Sequence, residues 1–263
     1  MNLKFTSKKK NLKKYFEDNG YIIIKSFFSK KECKKFLKII TKYANKDFAP
    51  IMNPDRLEYL ISQLTKKIDS LKDLGAKVNL INSLQKDCKY FRSVMLNPKI
   101  LKLLSKIKNK RKISALMSQM IFKQVNSKFS KQSWEPHQDN SYILNKKGEY
   151  ITINIFMNKS NMENGTMYVW EKSHKYGIFN YKNKVSYREK DNRPGNVSKT
   201  KKRFNVKNLD FQSGDMLILH GNLVHGSYAN KSKKHSRPLY SVSYIPKGEK
   251  FVSGFNAQRK VLN

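Results

Sequence analysis

FQSGDMLILHGNLVHGSYANKSKKHSRPLYSVSYI, residues 211–245, holds two apolar runs of strand length, Asp215 to Leu219 and Leu239 to Ile245, on either side of a glycine-flanked turn at Gly221. Short runs bounded by Gly, Asn and Lys read as strands of a sandwich or barrel. The same texture reaches back to Lys112, with Ile113 to Val125, Tyr150 to Met157 and Gly165 to Val169 as further runs. No βα alternation interrupts them, so a parallel sheet is not expected.

Upstream of Lys112 the pattern is mainly helical. Leu12 to Asn19 reads as a short helix closed by Gly20, and Tyr21 to Ile24 as a β-branched strand. Ser29 and Glu32 have capping-box spacing ahead of Cys33, Phe36, Leu37, Ile40 and Tyr43, which recur at helical intervals. Leu57, Leu60, Ile61, Leu64, Ile68 and Leu71 repeat that period, and Pro98 opens a last helix to Ile107. These stripes predict plain core packing. The polar stretch Asn180 to Asn208, with Arg193-Pro194-Gly195, is expected to be a loop or lid. The architecture predicted is mainly β with flanking helices (α+β): residues 1–111 mainly helical, a β core over 112–250 and a tail at 251–263, forming a single domain.

The formal charge of +36 resembles a nucleic-acid or membrane signal. However, 47 of the 55 basic residues are lysines spread along the chain, and only 8 are the arginines that bidentate phosphate recognition prefers. The charge therefore reads as compositional bias, and no specific nucleic-acid partner is expected; the field remains able to draw in an acidic substrate. Cys33 and Cys88 are too few for a disulfide framework and point to a reducing compartment. The basic N-terminus precedes an apolar run, Tyr21 to Ile24, that Lys25 cuts too short for a membrane span, so the expectation is a soluble cytoplasmic protein. Oligomeric state is not legible.

WEPHQDNSY, residues 134–142, supplies His137 and Asp139, and HGNLVHGS, residues 220–227, supplies His225. Two imidazoles and one carboxylate can hold one face of an octahedral metal and leave the other open, as non-haem Fe(II) oxygenases do. Alternation along an extended strand places His137 and Asp139 on one face, with Gln138 pointing away. Arg237 can grip the carboxylate of an acidic cosubstrate in bidentate fashion. His174, His220 and His235 fit no ligand spacing and read as structural or exposed.

Several segments carry a family resemblance: YFEDNGYIIIKSFFSKKECKKF, IFKQ, PHQDNSY, MENGTMYVWEKSHK, FQSGDMLILHGNLVHGSYANKS and SRPLYSVSYI. Taken together, the chain resembles the phytanoyl-CoA dioxygenase family of Fe(II)- and 2-oxoglutarate-dependent oxygenases over nearly its whole length. The resemblance implies a double-stranded β-helix core of jelly-roll, cupin-like form, with His137, Asp139 and His225 as catalytic iron ligands. It implies that Arg237 and Ser227 hold the far carboxylate of 2-oxoglutarate, with Lys123 or Gln119 lining that pocket. Asn140, Tyr142 and Asn154 are the candidate substrate contacts, and Trp134 and Trp170 are further aromatic candidates. Asn154 stands where family members often carry Trp, and Glu171-Lys172 replaces the usual Pro-Gly before Ser173-His174. Halogenating relatives lack the carboxylate that Asp139 supplies, so the expected outcome with Fe(II), 2-oxoglutarate and O2 is hydroxylation of a small, anionic or neutral organic substrate, with succinate and carbon dioxide released. The alternatives are a non-catalytic binding or regulatory protein on the same barrel, and a differently metallated hydrolase or isomerase.

Overall fold

The computed structural model describes residues 4–5, 11–44, 80–82, 89–110, 112–123, 125, 133–179 and 204–251. Helix α1 (Leu12–Asn19) opens on Asn11, whose side chain accepts from Lys14 N at 3.0 Å, and ends on Gly20. Helix α2 (Lys30–Ala44) begins with the reciprocal cap expected of Ser29 and Glu32: Glu32 Oε2 accepts from Ser29 N at 2.7 Å, and Ser29 Oγ accepts from Glu32 N at 3.2 Å. Two further helices, α3 (Lys89–Met95) and α4 (Pro98–Lys108), precede the main run of strands. Asn97 caps α4 by accepting from Lys99 N at 2.9 Å, with Pro98 in the first turn as predicted.

A seven-stranded antiparallel sheet has the order β1 (Lys4–Phe5), β2 (Tyr21–Lys25), β9 (Met216–His220), β6 (Ile151–Phe156), β11 (Leu239–Pro246), β4 (Ile113–Ile121) and β3 (Leu80–Asn82). A four-stranded sheet has the order β5 (Trp134–His137), β10 (His225–Ser227), β7 (Met167–Trp170) and β8 (Val206–Asn208). This is the double-stranded β-helix architecture, mostly antiparallel sheet with a few helices, and no closed ring of hydrogen-bonded strands forms among the described residues.

Strand alternation sorts the core into two layers. On the outer face of the large sheet Ile22, Ile24, Ile153, Ile218, Tyr240 and Tyr244 are buried with Phe16, Phe36, Phe91 and Leu104 of the helices. Tyr240 and Tyr244 also donate their hydroxyls to helix α3, to Phe91 O at 3.2 Å and Met95 O at 2.8 Å, which locks helix to sheet. On the inner face Tyr21, Ile23, Phe156, Leu217 and Leu239 meet Met167 and Val169 of the small sheet. Each such side chain contributes about 1.5–3 kcal/mol of burial.

The structure departs from the sequence reading in particular places. The strand expected at Tyr21 to Ile24 forms as β2, but two short strands that were not expected, β1 and β3, join the same large sheet. Within the polar stretch 180–208, Val206–Asn208 is not loop but an edge strand that pairs with β7. The rest of the expected lid up to residue 203, the helical stripe 57–71, Cys88 and the tail beyond residue 251 lie outside the described residues. No helix among the described residues is long and apolar enough to cross a membrane.

Lys172 adopts φ +60, a left-handed backbone, as it enters the 3-10 turn Ser173–Tyr176. A lysine held in this left-handed backbone bears about 1 kcal/mol of strain. Lys172→Gly is expected to raise unfolding free energy by up to about 1 kcal/mol, or leave it level where glycine's extra chain entropy offsets the relief. Chemical denaturation checks the sign, and a clear loss of stability would contradict the strain assignment.

Candidate iron and cosubstrate site

His137 closes β5, His225 opens β10, and the two are paired partners across the small sheet. Asp139 does not continue the strand, contrary to the expectation of one extended triplet. It begins the 3-10 turn Asp139–Tyr142. The extended backbone of Gln138 (φ −118, ψ 125) still turns His137 and Asp139 to the same side. One donor atom from each of His137, Asp139 and His225 lies within 4.8 Å of the others, and Asp139 Oδ1 stands 3.6 Å from His137 Nε2 and 3.5 Å from His225 Nε2.

The outer contacts prepare this set for a metal. His137 Nδ1 faces Glu135 O at 2.7 Å and His225 Nδ1 faces Leu223 O at 2.9 Å, so each ring carries its proton on Nδ1 and offers a Nε2 lone pair. Asp139 Oδ2 accepts from Thr152 Oγ1 at 2.5 Å, which leaves Oδ1 toward the two imidazoles. Burial pushes the Asp139 carboxyl up, but the His225 and His137 rings and the Thr152 hydroxyl outweigh it and hold the group below its ordinary range. Burial, partly countered by Asp139, pulls His225 down. Both directions favour an ionised aspartate and a neutral histidine, the forms a metal requires.

A second constellation begins two residues along β10. Ser227 lies on the same face as His225, about 6.6 Å away at strand spacing. Its Oγ accepts from Lys123 Nζ at 2.9 Å, and Lys123 Nζ also donates to Tyr228 O. Arg237 is 1% exposed; its Nε donates to Gly165 O at 3.1 Å while Nη1 is buried with no hydrogen-bond partner. No carboxylate pairs with either cation among the described residues. Burial draws Arg237 down to about 9, and burial together with the Arg237 charge draws Lys123 well below its ordinary value. Two buried basic side chains and an orphaned N–H donor, one strand step from His137, Asp139 and His225, fit a carboxylate of a dicarboxylic acid. Gly165 is required here: at φ +85 a Cβ would stand 2.7 Å from Tyr228 O and 2.9 Å from Lys123 Cδ.

The remaining candidates separate. Ser241 on β11 pairs with Asn154 on β6 and with Gln119 on β4, and Thr152, two residues from Asn154, faces Asp139. Gln119, Ser241 and Asn154 thus form a row on the face that looks toward the metal ligands. Tyr142 and Trp134 are half-buried, with ring centres 6.4 Å and 6.1 Å from that of His137. Asn140 is engaged within the fold instead of facing a ligand: its Nδ2 donates to Asn145 O and Asn222 Oδ1, and its Oδ1 accepts from Asn145 N. Trp170 is fully buried against Phe204 and Val224. Thr152, Gly165 and Asn230, whose Nδ2 donates to Lys123 O at 2.6 Å, are site residues that sequence spacing did not single out.

Of the other histidines, His174 is buried, His220 is half-buried and His235 is exposed. His220 is packed against Phe16 and His174, with ring centres 5.8 Å and 5.2 Å away. Burial, with Lys108 and His174 adding to it, pulls His220 down to about 3 from an ordinary 6.5. Between those values the unfolded chain binds the proton that the folded one refuses, so stability held above pH 6.5 is lost as pH falls toward 3. From pH 7 to pH 5 this group alone is expected to remove about 2 kcal/mol. Urea unfolding at the two pH values checks it, with His220→Gln flattening the dependence; an equal slope in both proteins would contradict it.

Fold and donor set together define a non-haem iron, 2-oxoglutarate-dependent oxygenase. The chain belongs to the phytanoyl-CoA dioxygenase (PhyH) family, whose profile matches residues 16–239. Phytanoyl-CoA dioxygenase 1 of Oryza sativa subsp. japonica is 21% identical over 253 residues, covering 87% of each chain. The phytanoyl-CoA dioxygenase domain-containing protein 1 of Mus musculus is 23% identical over 261 residues, again covering 87% of each. Among solved structures, the epimerase SnoN in complex with Fe3+, alpha ketoglutarate and nogalamycin RO is similar in fold, with a TM-score of 0.68, 14% identity and coverage of 92% of this chain and 84% of that one. HygX from Streptomyces hygroscopicus, with nickel and 2-oxoglutarate bound, gives a TM-score of 0.61 at 16% identity, covering 89% of this chain and 86% of its own.

Proposed function

We propose that the protein hydroxylates a small organic substrate, an anionic one favoured by the surface charge, with release of succinate and carbon dioxide. The observation that carries this reading is the unpaired Arg237–Lys123 pair beyond Ser227, because a metal site alone would serve many chemistries and a metal site beside a carboxylate receptor serves few. Iron(II) and 2-oxoglutarate bound together supply the activation of dioxygen. His137, Asp139 and His225 would hold the metal, with open positions left for cosubstrate and dioxygen as in a two-histidine, one-carboxylate set. Arg237, Lys123 and Ser227 would take the far carboxylate of 2-oxoglutarate and so orient the molecule in the site.

Gln119, Ser241 and Asn154 present neutral hydrogen-bonding groups on the wall facing the ligands, and Tyr142 and Trp134 bring aromatic surface next to His137. These residues are the substrate-orienting set in this reading. Halogenating relatives lack the carboxylate that Asp139 supplies, so its presence supports oxygen insertion over halogenation. A screen of carboxylated, phosphorylated and neutral small molecules, read by succinate release with Fe(II) and 2-oxoglutarate, tests the assignment. The expected hit gains one oxygen atom and raises succinate in proportion. Metal and 2-oxoglutarate binding without succinate from any compound would favour the non-catalytic alternative, and stimulation confined to uncharged compounds would remove the anionic preference.

A further inference from the structure

We propose that Gln138, the residue between two of the metal ligands, is a positioning residue that holds the two ligand-bearing segments at metal-binding distance. This rests on the reading of His137, Asp139 and His225 as the ligands. The Gln138 side chain leaves the strand on the side opposite to them and is 0% exposed. Its Nε2 donates to Asn222 O at 2.6 Å and to Gly177 O at 2.7 Å, and its Oε1 accepts from Phe179 N at 2.8 Å. One amide thereby ties the ligand segment 137–139, the turn that leads into His225 and the stretch 177–179 together.

The neighbouring residue reinforces the tie. Asn140 N donates to Gly221 O at 2.9 Å and Asn140 Nδ2 to Asn222 Oδ1 at 2.8 Å. The turn so held contains Leu223, whose carbonyl orients the His225 ring. A shift of this turn would therefore move both the His225 backbone and the acceptor that sets its ring. The strand ladder does not lock this geometry unaided, because the β5–β10 register shifts between His225 and Ser227. The chemistry also explains why an amide stands here. Only a group with two N–H donors and an acceptor can meet two carbonyls and one N–H at once. A carboxylate of the same shape would set oxygen against two carbonyls, and an apolar side chain would leave all three backbone groups buried without this partner.

Co(II) titration of the metal-free full-length protein, followed by its visible absorption, together with thermal unfolding, tests the role in Gln138→Leu and Gln138→Glu. Asp215→Asn is the comparison: this buried carboxylate bonds Ser26 N at 2.9 Å, Gln212 N at 2.8 Å and Lys25 Nζ at 2.7 Å, and touches none of the ligands. The Gln138 variants are expected to lose about tenfold to a hundredfold in Co(II) affinity, as outer-shell partners of metal ligands do. Asp215→Asn should unfold at a lower temperature and keep the affinity of the unaltered protein. Should both Gln138 variants fail to fold, Asn140→Ala, which removes the adjoining bonds, carries the same expected loss. Gln138 or Asn140 variants that bind Co(II) within about twofold of the unaltered protein would overturn the positioning role and leave the ligand assignment standing. An affinity loss in Asp215→Asn matching that of the Gln138 variants would likewise overturn it. No Co(II) binding by the unaltered protein would instead remove the ligand assignment, and this proposal with it.

Discussion

His225→Ala is expected to abolish succinate formation from 2-oxoglutarate, lowering it by more than about a hundredfold. Loss of a mere outer-shell partner costs about 10–100-fold in metal affinity or activity, so deletion of a ligand must exceed that range. His225 is the single donor that the small sheet contributes from β10, and His137 and Asp139 both come from one short segment. Without it two donors remain on one side of the cavity, and Asp139 loses the neighbour that lies 3.5 Å from its Oδ1. His137→Ala should behave alike. Succinate quantified after incubation with Fe(II), 2-oxoglutarate and ascorbate reads the effect, alongside circular dichroism to verify folding. Normal succinate output from either folded variant would remove these residues from the metal site.

Arg237→Met is expected to raise the apparent KM for 2-oxoglutarate by about thirtyfold or more. Removing one partner of a buried, charge-assisted contact costs about 2–5 kcal/mol, and Lys123 remains to hold part of the anion, which places the effect at the lower end. The same substitution has a second expected result that separates a receptor from a structural arginine. Among the described residues Arg237 is a buried cation whose Nη1 has no partner and whose Nε donates to Gly165 O. Replacing an uncompensated buried charge by an apolar chain of similar length removes a desolvation penalty. The melting temperature without 2-oxoglutarate should therefore hold or rise, while the rise on adding 2-oxoglutarate shrinks. A fall in the melting temperature with an unchanged KM would mark Arg237 as structural.

The legibility of this chain in its sequence divides along the range of the interactions involved. Helix α1, the Ser29–Glu32 cap and the Pro98 start are local, and their residues announce them within three or four positions. The cluster of His137, Asp139 and His225 was legible because His-x-Asp and a distant His before Gly-Ser are sparse in a chain with 5 histidines. Lys123 came only with the family resemblance, because among 47 lysines no spacing distinguishes the one that is buried beside Ser227. Thr152 and Asn230 act only through chain crossings, to Asp139 and to Lys123 O, and nothing in their own neighbourhoods signals it. Strand β8 was missed because three residues with a polar, exposed edge carry no alternation to read. The hydrogen bonds of Asn140 were not legible, because its amide closes a turn with Asn145 that adjacency to Asp139 does not announce.

The proposed function requires one site that binds iron and 2-oxoglutarate together. Anaerobic titration of the Fe(II)-loaded protein with 2-oxoglutarate tests this most directly, because a 2-oxo acid chelated to Fe(II) gives a visible charge-transfer absorption. The account predicts a band that saturates at one 2-oxoglutarate per iron, requires His225, and needs a higher 2-oxoglutarate concentration in Arg237→Met. Iron binding without any such band at saturating 2-oxoglutarate would contradict it.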